Sequence, residues 1–382
     1  MGNVSTYLMP TKIVHGEGSS KLITQFIREL SDGKHVLIVL DQDVCKIGVA
    51  DYIIEQIKED GYDVTVFSEV PPDPNELVVE RGLNSIGDKS VDVIVAIGGG
   101  STICVAKGIG VVLTNGGQLS DWQNGTNQYP PTPIIAMPTT AGAGTEVAPR
   151  FMIKNSKTGI NMRLGGANCY PKIAVLEPEL LLKLPERGAI GSSIDALCHA
   201  IEAYTSTEAT PLTDAIALQA IKNIYKHMAI AACTESIESR HQMLLAACMA
   251  NIACGNAKLG LPHNLTYGKF GVSHGYANGL VLIPCLEFIL PTCKEKMSEM
   301  ATVMGKKLTG DLSSDAHLVI DAIKELFADL KVPRSLKEIG LSEDYISELV
   351  NQSVDRIHVK TSARWATRSQ MEDIFKAAYQ GW

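Results

Sequence analysis

The stretch VDVIVAIGGGST, residues 91–102, joins an apolar run to three glycines and the start of a helical pattern. VDVIVAI (91–97) is short, continuous and rich in β-branched residues, which is typical of a strand buried on both faces. Glycines let the backbone approach a phosphate closely, and the N-terminus of the following helix, near Thr102, offers free N–H groups. We therefore predict a strand, a phosphate-binding turn and a helix. A plain tight turn is the alternative, because the stretch lacks the G-x-G-x-x-G fingerprint.

The same alternation of strand and helix runs through the first half of the chain. Further apolar, β-branched runs lie at 35–41, 63–67, 132–138 and 172–178, and helical patterns at about 18–30, 50–60, 75–87 and 101–113. Such an order predicts a parallel sheet covered by helices on both faces. Ligands of such sheets bind at the carboxyl ends of the strands.

From Leu180 onward the strand patterns stop. Helical patterns follow at 191–206, 211–232, 237–258, 271–289, 294–308, 315–330 and 342–354. The length of 382 residues is long for one core and suggests two domains. We predict an α/β dinucleotide-binding domain over residues 1–184 and an all-helical domain over residues 185–382.

Three loops at predicted strand ends carry polar or small residues that suit a nucleotide. Asp41 closes the strand HVLIVLD, where a carboxylate can accept both hydroxyls of an adenosine ribose and repel a 2′-phosphate. A helix N-cap is an equally good interpretation of Asp41. The loop PTTAGAGTEVAPR (138–150) adds hydroxyls and small residues after another strand. The predicted cofactor-binding residues are Asp41, Gly98, Gly99, Gly100, Ser101, Thr139 and Thr140.

The stretch GSSIDALCHAIEAYTS, residues 191–206, predicts a helix with a carboxylate and an imidazole on one face. Asp195 and His199 are four residues apart and therefore lie about one helical turn from each other. Such a pair is usually a surface hydrogen bond, but here it stands among apolar residues, where unpartnered polar groups are costly. The segment LGLPHNLTYGKFGVSHGYAN supplies His263 and His274. One aspartate and three histidines suit Fe²⁺, Zn²⁺ or Mn²⁺.

Composition excludes several other classes. The net charge is −8 with no run of Lys or Arg, so nothing favours nucleic acid or an anionic membrane. Nine cysteines without a C-x-x-C pair indicate reduced thiols. The longest apolar run, GLVLIPCLEFIL, is interrupted by Pro284 and Glu287 and is short for a membrane span. The start MGNVST fits a myristoylation pattern that often matches by chance. We expect a cytoplasmic protein.

Taken together, the motifs resemble the iron-dependent, group III alcohol dehydrogenases. The resemblance rests on GGGS after a strand, PTTAGAGTEV, G-x-x-x-D-A-L-x-H-A-x-E-A-Y, N-x-x-L-G-x-x-H and a later H-G-x-x-N-G, in this order. It implies a dehydroquinate synthase-like fold and NAD(P)-linked interconversion of alcohols with aldehydes or ketones. It also implies metal ligands at Asp195, His199, His263 and His274, with Fe²⁺ as the first choice, and a homodimer or larger homo-oligomer.

The sequence departs from that family at places that bear on substrate and proton transfer. Tyr267 occupies a position where many members have a further histidine. We consider it a proton carrier, although a phenol with an ordinary pKa near 10 is a poor one; water or a ribose hydroxyl is an equal alternative. Arg150 stands where members commonly have an uncharged residue near the substrate, and Cys254 where they often have an aromatic one. Arg150 therefore predicts a small aldehyde with a sulfonate, carboxylate or phosphonate. An ion pair with Glu146 or a contact to cofactor phosphates is the alternative.

The function that we predict is an NAD(H)-linked, metal-dependent alcohol dehydrogenase or aldehyde reductase. The preference for NAD(H) rests on Asp41. A neutral short-chain alcohol or diol dehydrogenase, and a lyase or cyclase on the same fold, are the alternatives. A protein that binds metal or nucleotide without catalysis is a third.

Overall fold

The structure, a computed structural model, describes residues 4–266, 270–354 and 360–382. These residues form two compact units. The α/β unit comprises Met9–Thr140 and Gly144–Leu184, and the helical unit comprises Pro185–Trp382 with Ala141–Ala143 and the segment that ends at Leu8. The division into two domains after Leu184 remains a proposal.

The α/β unit is built on a parallel sheet of six strands. The strands are β1 (Lys12–His15), β2 (His35–Asp41), β3 (Asp63–Val70), β4 (Val93–Gly98), β5 (Ile134–Pro138) and, after a separate hairpin, β8 (Ile173–Leu176). Their order across the sheet is β1-β8-β5-β4-β2-β3, and every pair is parallel. The hairpin is antiparallel and consists of β6 (Phe151–Lys154) and β7 (Asn161–Leu164).

Five α-helices connect these strands. They are α1 (Ile23–Leu30), α2 (Gln42–Ile47), α3 (Asp51–Glu59), α4 (Glu76–Ile86) and α5 (Gly100–Asn115), and short 3-10 helices span Ser19–Leu22, Leu119–Trp122, Thr145–Val147 and Pro178–Leu181. The central strands β4 and β5 are buried at every position, which explains their continuous apolar sequences. The predicted parallel sheet with flanking helices is confirmed.

The order of the strands reverses between β2 and β4. From β2 the chain moves to β3 on one side, and after β3 it crosses back to β4 on the other side. The carboxyl ends of these two neighbouring strands are Asp41 and Gly98. A reversal of this kind opens a crevice at the carboxyl ends of the strands, and open α/β sheets bind their ligands there.

The helical unit contains nine α-helices within the described ranges. They are α6 (Glu186–Thr205), α7 (Pro211–Cys233), α8 (Ile237–Ala257), α9 (Leu261–Leu265), α10 (His274–Ile289), α11 (Lys294–Val303), α12 (Leu312–Asp329), α13 (Ile346–Ser353) and α14 (Arg368–Gln380). Helix α6 is central, because α7, α8, α9 and α10 all pack against it. It is buried at nearly every position after Ile190, as expected for a helix surrounded by other helices.

Helix α10 begins three residues after the predicted start at 271 and ends at the predicted residue, 289. With the 3-10 helix that follows, His274–Thr292 is the single segment of the described chain that is long and apolar enough to cross a membrane, with a mean hydropathy of 1.2. Of its apolar window, 78% is buried inside the protein. A helix in the core of a protein has the same composition, so the segment is weak evidence for a membrane span.

A buried lysine ties α5 to the loop after β5. Lys107 is fully buried, and its Nζ donates hydrogen bonds to the carbonyl oxygens of Thr145 (2.7 Å) and Ala148 (2.6 Å). Burial lowers the pKa of Lys107 to about 8. Burial also raises the pKa of the neighbouring Glu146 to about 7, although the charge of Lys107 opposes this rise. Both groups are therefore costly to ionise inside the unit.

We expect Glu146→Gln to stabilise the protein at pH 8 and to leave its stability unchanged at pH 4.5. Burial raises the pKa of Glu146 from 4.5 to about 7 in the folded state, so the buried carboxyl is neutral at low pH and must ionise as the pH rises. The free energy of unfolding of the wild type is therefore unaffected by this group below pH 4.5 and decreases as the pH rises through 7. The gain at pH 8 should be of the order of 2 kcal/mol. Thermal and urea unfolding at both pH values measure it, with the exposed Glu80→Gln as the control. An equal effect at both pH values would contradict the prediction.

Candidate metal centre and nucleotide site

Helix α6 carries the first two predicted metal ligands. Asp195 and His199 are 6% and 7% exposed and lie four residues apart on this helix, so both side chains project from one face. The apolar residues between and around them place that face inside the helical unit. The i, i+4 spacing in the sequence therefore predicts the local arrangement of this pair.

His263 and His274 approach this face from α9 and α10. His263 is in the middle of the short helix α9, and His274 is the first residue of α10. Glycine makes the approach of α10 possible: a Cβ at Gly275 would lie 1.8 Å from the carbonyl oxygen of Gly191 in α6. The backbones of α6 and α10 thus touch one residue after His274, and this contact holds its imidazole beside Asp195.

Three of the four predicted ligands form a compact group. One oxygen of Asp195 and one ring nitrogen each of His263 and His274 all lie within 4.8 Å of one another. The Nε2 atoms of His263 and His274 are 3.3 Å and 3.8 Å from Asp195 Oδ1. One carboxylate with two imidazoles is a ligand set that suits Fe²⁺, and the half-exposed ring of His274 leaves one side of the group open to solvent.

His199 packs against this group without being part of it. Its ring stacks on that of His263 with centroids 4.4 Å apart. Its Nδ1 is buried and has no hydrogen-bond partner among the described residues. A buried, unpartnered polar atom costs about 1–3 kcal/mol, and a bound cation next to it would remove that cost. The residues present therefore fit a divalent metal ion.

The carboxylates of this site attract a cation, and the state of the three imidazoles decides which of them is ready to bind one. Burial disfavours an ionised Asp195, yet the neighbouring His199, His263 and His274 hold the pKa of Asp195 well below its usual range. Burial lowers the pKa of His199 to about 4, which keeps the ring neutral and able to bind a metal. Burial acts in the same direction on His263, but the carboxylates of Glu202 and Asp195 raise the pKa of His263 to about 10, so a metal ion displaces a proton when it binds this ring.

Two buried residues of this site were not predicted from the sequence. Asn278 is fully buried, and its Nδ2 lies 2.9 Å from Asp195 Oδ1, 3.2 Å from His263 Nε2 and 3.3 Å from His274 Nε2. Glu202 pairs with His263. The sequence held a signal for both, because Glu202 is three residues after His199 on α6 and Asn278 is four residues after His274 on α10, each one helical turn from a candidate ligand.

The predicted nucleotide residues lie together at the reversal point of the sheet. Gly98 ends β4, and Gly99 precedes α5 as its N-cap. A Cβ at Gly98 would lie 2.4 Å from Thr102 Oγ1, so only glycine fits there. Thr139 N–H donates to Gly98 O (3.1 Å), and a Cβ at Gly99 would lie 3.5 Å from the side chain of Thr140. Gly100 and Ser101 form the first turn of α5, whose N–H groups and dipole suit a phosphate.

Asp41 acts as the N-cap of α2. Its Oδ1 accepts from the N–H groups of Asp43 (3.0 Å) and Val44 (2.7 Å), as the alternative interpretation of this residue requires. Burial raises the pKa of Asp41, although interactions with these two N–H groups and with that of Gly99 act to lower it. Asp41 ends β2 and Gly98 ends the paired strand β4, so the carboxylate of Asp41 lies near the glycine turn. A helix cap and a ribose acceptor are compatible roles for one carboxylate, since it has about four lone-pair sites.

The two predicted catalytic residues differ in what the structure shows. Tyr267 lies outside the described residues. Arg150 is exposed and forms neither an ion pair nor a hydrogen bond with any other residue in the part of the chain that the structure describes. The predicted alternative, an ion pair with Glu146, is not formed there: Glu146 is 3% exposed and interacts with Lys107.

The chain has a cluster of one carboxylate and three imidazoles, and it also has a glycine turn at the reversal point of a parallel sheet. Together these two features are typical of dehydrogenases that use a metal and a dinucleotide. Residues 10–178 match the iron-containing alcohol dehydrogenase family, and residues 189–379 match the C-terminal part of the Fe-containing alcohol dehydrogenase family. The protein belongs to the iron-containing alcohol dehydrogenase family. It is an oxidoreductase of the alcohol dehydrogenase class.

Individual relatives resemble this chain over its whole length. An NAD-dependent methanol dehydrogenase from Bacillus methanolicus is 32% identical over 98% of this chain and 100% of its own. The structure of a 1,3-propanediol oxidoreductase has a TM-score of 0.95 and 30% identity, covering 99% of this chain and 100% of that chain. A sulfoacetaldehyde reductase from Bifidobacterium kashiwanohense in complex with NAD⁺ has a TM-score of 0.89 and 25% identity over 98% of both chains.

Proposed function

We propose that the protein is a metal-dependent, NAD(H)-linked alcohol dehydrogenase and aldehyde reductase that acts on a small substrate. The observation that carries this proposal is the convergence of Asp195, His263 and His274 from α6, α9 and α10 within 4.8 Å. The stacked His199 is the fourth proposed ligand. NAD(H) is proposed because the relative from Bacillus methanolicus is named as NAD-dependent, and because Asp41 lies at the end of β2.

Each residue has a physical task in this proposal. Asp195 offers the negative charge that draws a divalent ion into the cluster, and the neutral ring of His199 offers a lone pair. When bound, Fe²⁺, or Zn²⁺ or Mn²⁺ in its place, supplies Lewis acidity toward the oxygen of the alcohol or carbonyl. Gly98, Gly99, Gly100 and Ser101 are proposed to receive the dinucleotide phosphates, and Thr139 and Thr140 to flank them.

The cofactor preference is tested by Asp41→Ser. Serine also caps helices, so α2 keeps an acceptor at its N-terminus. Loss of the carboxylate removes a ribose acceptor and the repulsion of a 2′-phosphate. We expect the ratio of kcat/KM with NADPH to kcat/KM with NADH to rise at least about 10-fold, equivalent to about 1.4 kcal/mol. The neighbouring exposed Asp43→Ser is the matched control. An unchanged ratio, or equal use of both cofactors by the wild type, would contradict the preference for NAD(H).

The proposed substrate is a small aldehyde with an anionic group, a sulfonate, carboxylate or phosphonate. Arg150 supports it, because an exposed guanidinium without a partner among the described residues is available to an oxyanion. The similarity to a structure named sulfoacetaldehyde reductase agrees with this choice. A neutral short-chain alcohol or diol is the second candidate, since other relatives are named methanol dehydrogenase and 1,3-propanediol oxidoreductase.

One assay separates these substrates. NADH oxidation is followed by absorbance with anionic and neutral aldehydes of equal size, on protein whose metal content has been measured. A lyase or cyclase would produce no net change in NADH.

We further propose a cytoplasmic homodimer or larger homo-oligomer with no nucleic-acid or membrane partner. Light scattering of the purified protein measures the oligomeric state.

A further inference from the structure

A second buried carboxylate lies directly behind the candidate metal ligands. Glu202 is 2% exposed and lies on α6, one turn after His199 and two turns after Asp195. Both of its oxygens have partners. Oε1 accepts from the backbone N–H groups of Gly260 (3.1 Å) and His263 (3.0 Å), and Oε2 forms a hydrogen bond with His263 Nδ1.

This arrangement fixes the ring of His263 at both nitrogens. With Nδ1 held by Glu202, Nε2 faces Asp195 Oδ1 at 3.3 Å and Asn278 Nδ2 at 3.2 Å. A carboxylate at Nδ1 favours a proton there, so that a metal ion takes the place of the proton on Nε2, the nitrogen that faces Asp195 Oδ1. A buried carboxylate is expensive to retain for stability alone, because an apolar residue of similar size often serves as well.

We propose that Glu202 is a positioning residue for the metal, acting through His263. It keeps a proton on Nδ1 and fixes the orientation of the ring, so that Nε2 faces the metal site before an ion binds. This inference rests on the metal site of the proposed function. A merely structural role is the competing explanation: Glu202 also ties α9 to α6 through the backbone N–H groups of Gly260 and His263.

Glu202→Gln separates these two roles. The amide keeps the size of the side chain and an oxygen for the backbone N–H groups, but its NH₂ group then faces Nδ1 and favours the wrong tautomer of His263. We expect the affinity for Zn²⁺ or Co²⁺, measured by competition with a chromophoric chelator, to fall by about 10- to 100-fold. The visible spectrum of the Co²⁺-loaded protein should change as well.

The matched control is Glu177→Gln. Glu177 is fully buried in the α/β unit and accepts from Ser20 N–H (3.1 Å), Ser20 Oγ–H (2.9 Å) and Glu179 N–H (3.4 Å). This substitution should lower the thermal stability and leave the metal affinity of the folded protein unchanged. A metal affinity of Glu202→Gln within twofold of the wild type would overturn the inference, whatever happens to its stability.

A measurement on the wild type removes the dependence on the folding of a variant. In Zn²⁺-loaded protein with ¹⁵N-labelled histidine, the His263 signals, assigned by their loss in His263→Ala, should show a protonated, hydrogen-bonded Nδ1 and a metal-bound Nε2. Metal on Nδ1 would overturn the inference. Failure of the wild type to bind any divalent metal would instead overturn the proposed metal site, and with it the ground for the inference, so the two failures are distinguishable.

Discussion

His263→Ala should lose its metal and nearly all of its turnover. The substitution removes an atom from the ligand group of Asp195, His263 and His274 and leaves the buried carboxylate of Glu202 without its imidazole. Changes behind a metal ligand typically cost 10- to 100-fold in affinity, so removal of the ligand itself should cost more than about 100-fold. The loss of turnover should be as large, because Lewis acidity toward the substrate oxygen disappears with the ion.

Stability must be measured beside activity, since an unpaired buried charge destabilises by about 3–5 kcal/mol. Metal content per folded protein, from elemental analysis after gel filtration, separates loss of the ion from loss of the fold. His227→Ala is the matched control: this half-buried histidine lies on α7 and bonds to Ser239 (3.2 Å). If His263→Ala kept both its metal and its turnover, the assignment of the site would be wrong.

The sequence predicts the parts of the fold whose signal is local. The central strands β2, β4 and β5 are continuous apolar runs because helices cover the sheet on both faces. The edge strand β1 was missed because its four residues, Lys12–His15, are only partly buried and carry no such run. The hairpin strand β6 was also missed, although its burial alternates as expected for a strand with one covered face.

Helix boundaries show where tertiary contacts override local preference. Helix α6 begins at Glu186, five residues before the predicted start at 191. Gly191 weakens the helical pattern there, but a Cβ at this position would lie 3.1 Å from Tyr276 and Ser273 of the neighbouring segment. The glycine thus serves the contact with α10, which no local pattern can reveal. Helix α11 is shorter than predicted, 294–303 instead of 294–308. The short helix α9 and the C-terminal α14 were not predicted, and α2 was anticipated only by the interpretation of Asp41 as a helix N-cap.

The candidate site likewise has residues that the sequence predicts and contacts that only the structure shows. Asp195 and His199 were found from their spacing on one helix, and His263 and His274 from residue chemistry and a family resemblance. Nothing in the sequence could show that three of these residues group within 4.8 Å while His199 stacks beside them. Glu202 and Asn278 were overlooked because a glutamate or asparagine acquires its role here only when α6, α9 and α10 come together.

Arg150→Met should impair an anionic aldehyde selectively. Arg150 is exposed and has no ion-pair partner among the residues of the described ranges. Its guanidinium can therefore bind an oxyanion through two parallel N–H donors without first breaking an ion pair inside the protein. A charged hydrogen bond of this kind contributes about 1.5–3 kcal/mol, which corresponds to roughly 10- to 150-fold in kcat/KM. The overall charge of −8 does not attract an anion, so the effect must be local.

The decisive comparison uses an anionic and a neutral aldehyde of equal size on the wild type, on Arg150→Met and on the control Arg81→Met. Arg81 is a half-exposed arginine of the same unit and is paired with Glu69 at 3.4 Å. Its loss should change kcat/KM with neither aldehyde. For Arg150→Met, kcat/KM should fall with the anionic aldehyde alone, and the dependence of that reaction on salt should weaken with it. An equal fall with both aldehydes would assign Arg150 to the phosphates of the cofactor, because both reactions need NADH. No fall with either would remove Arg150 from the active site.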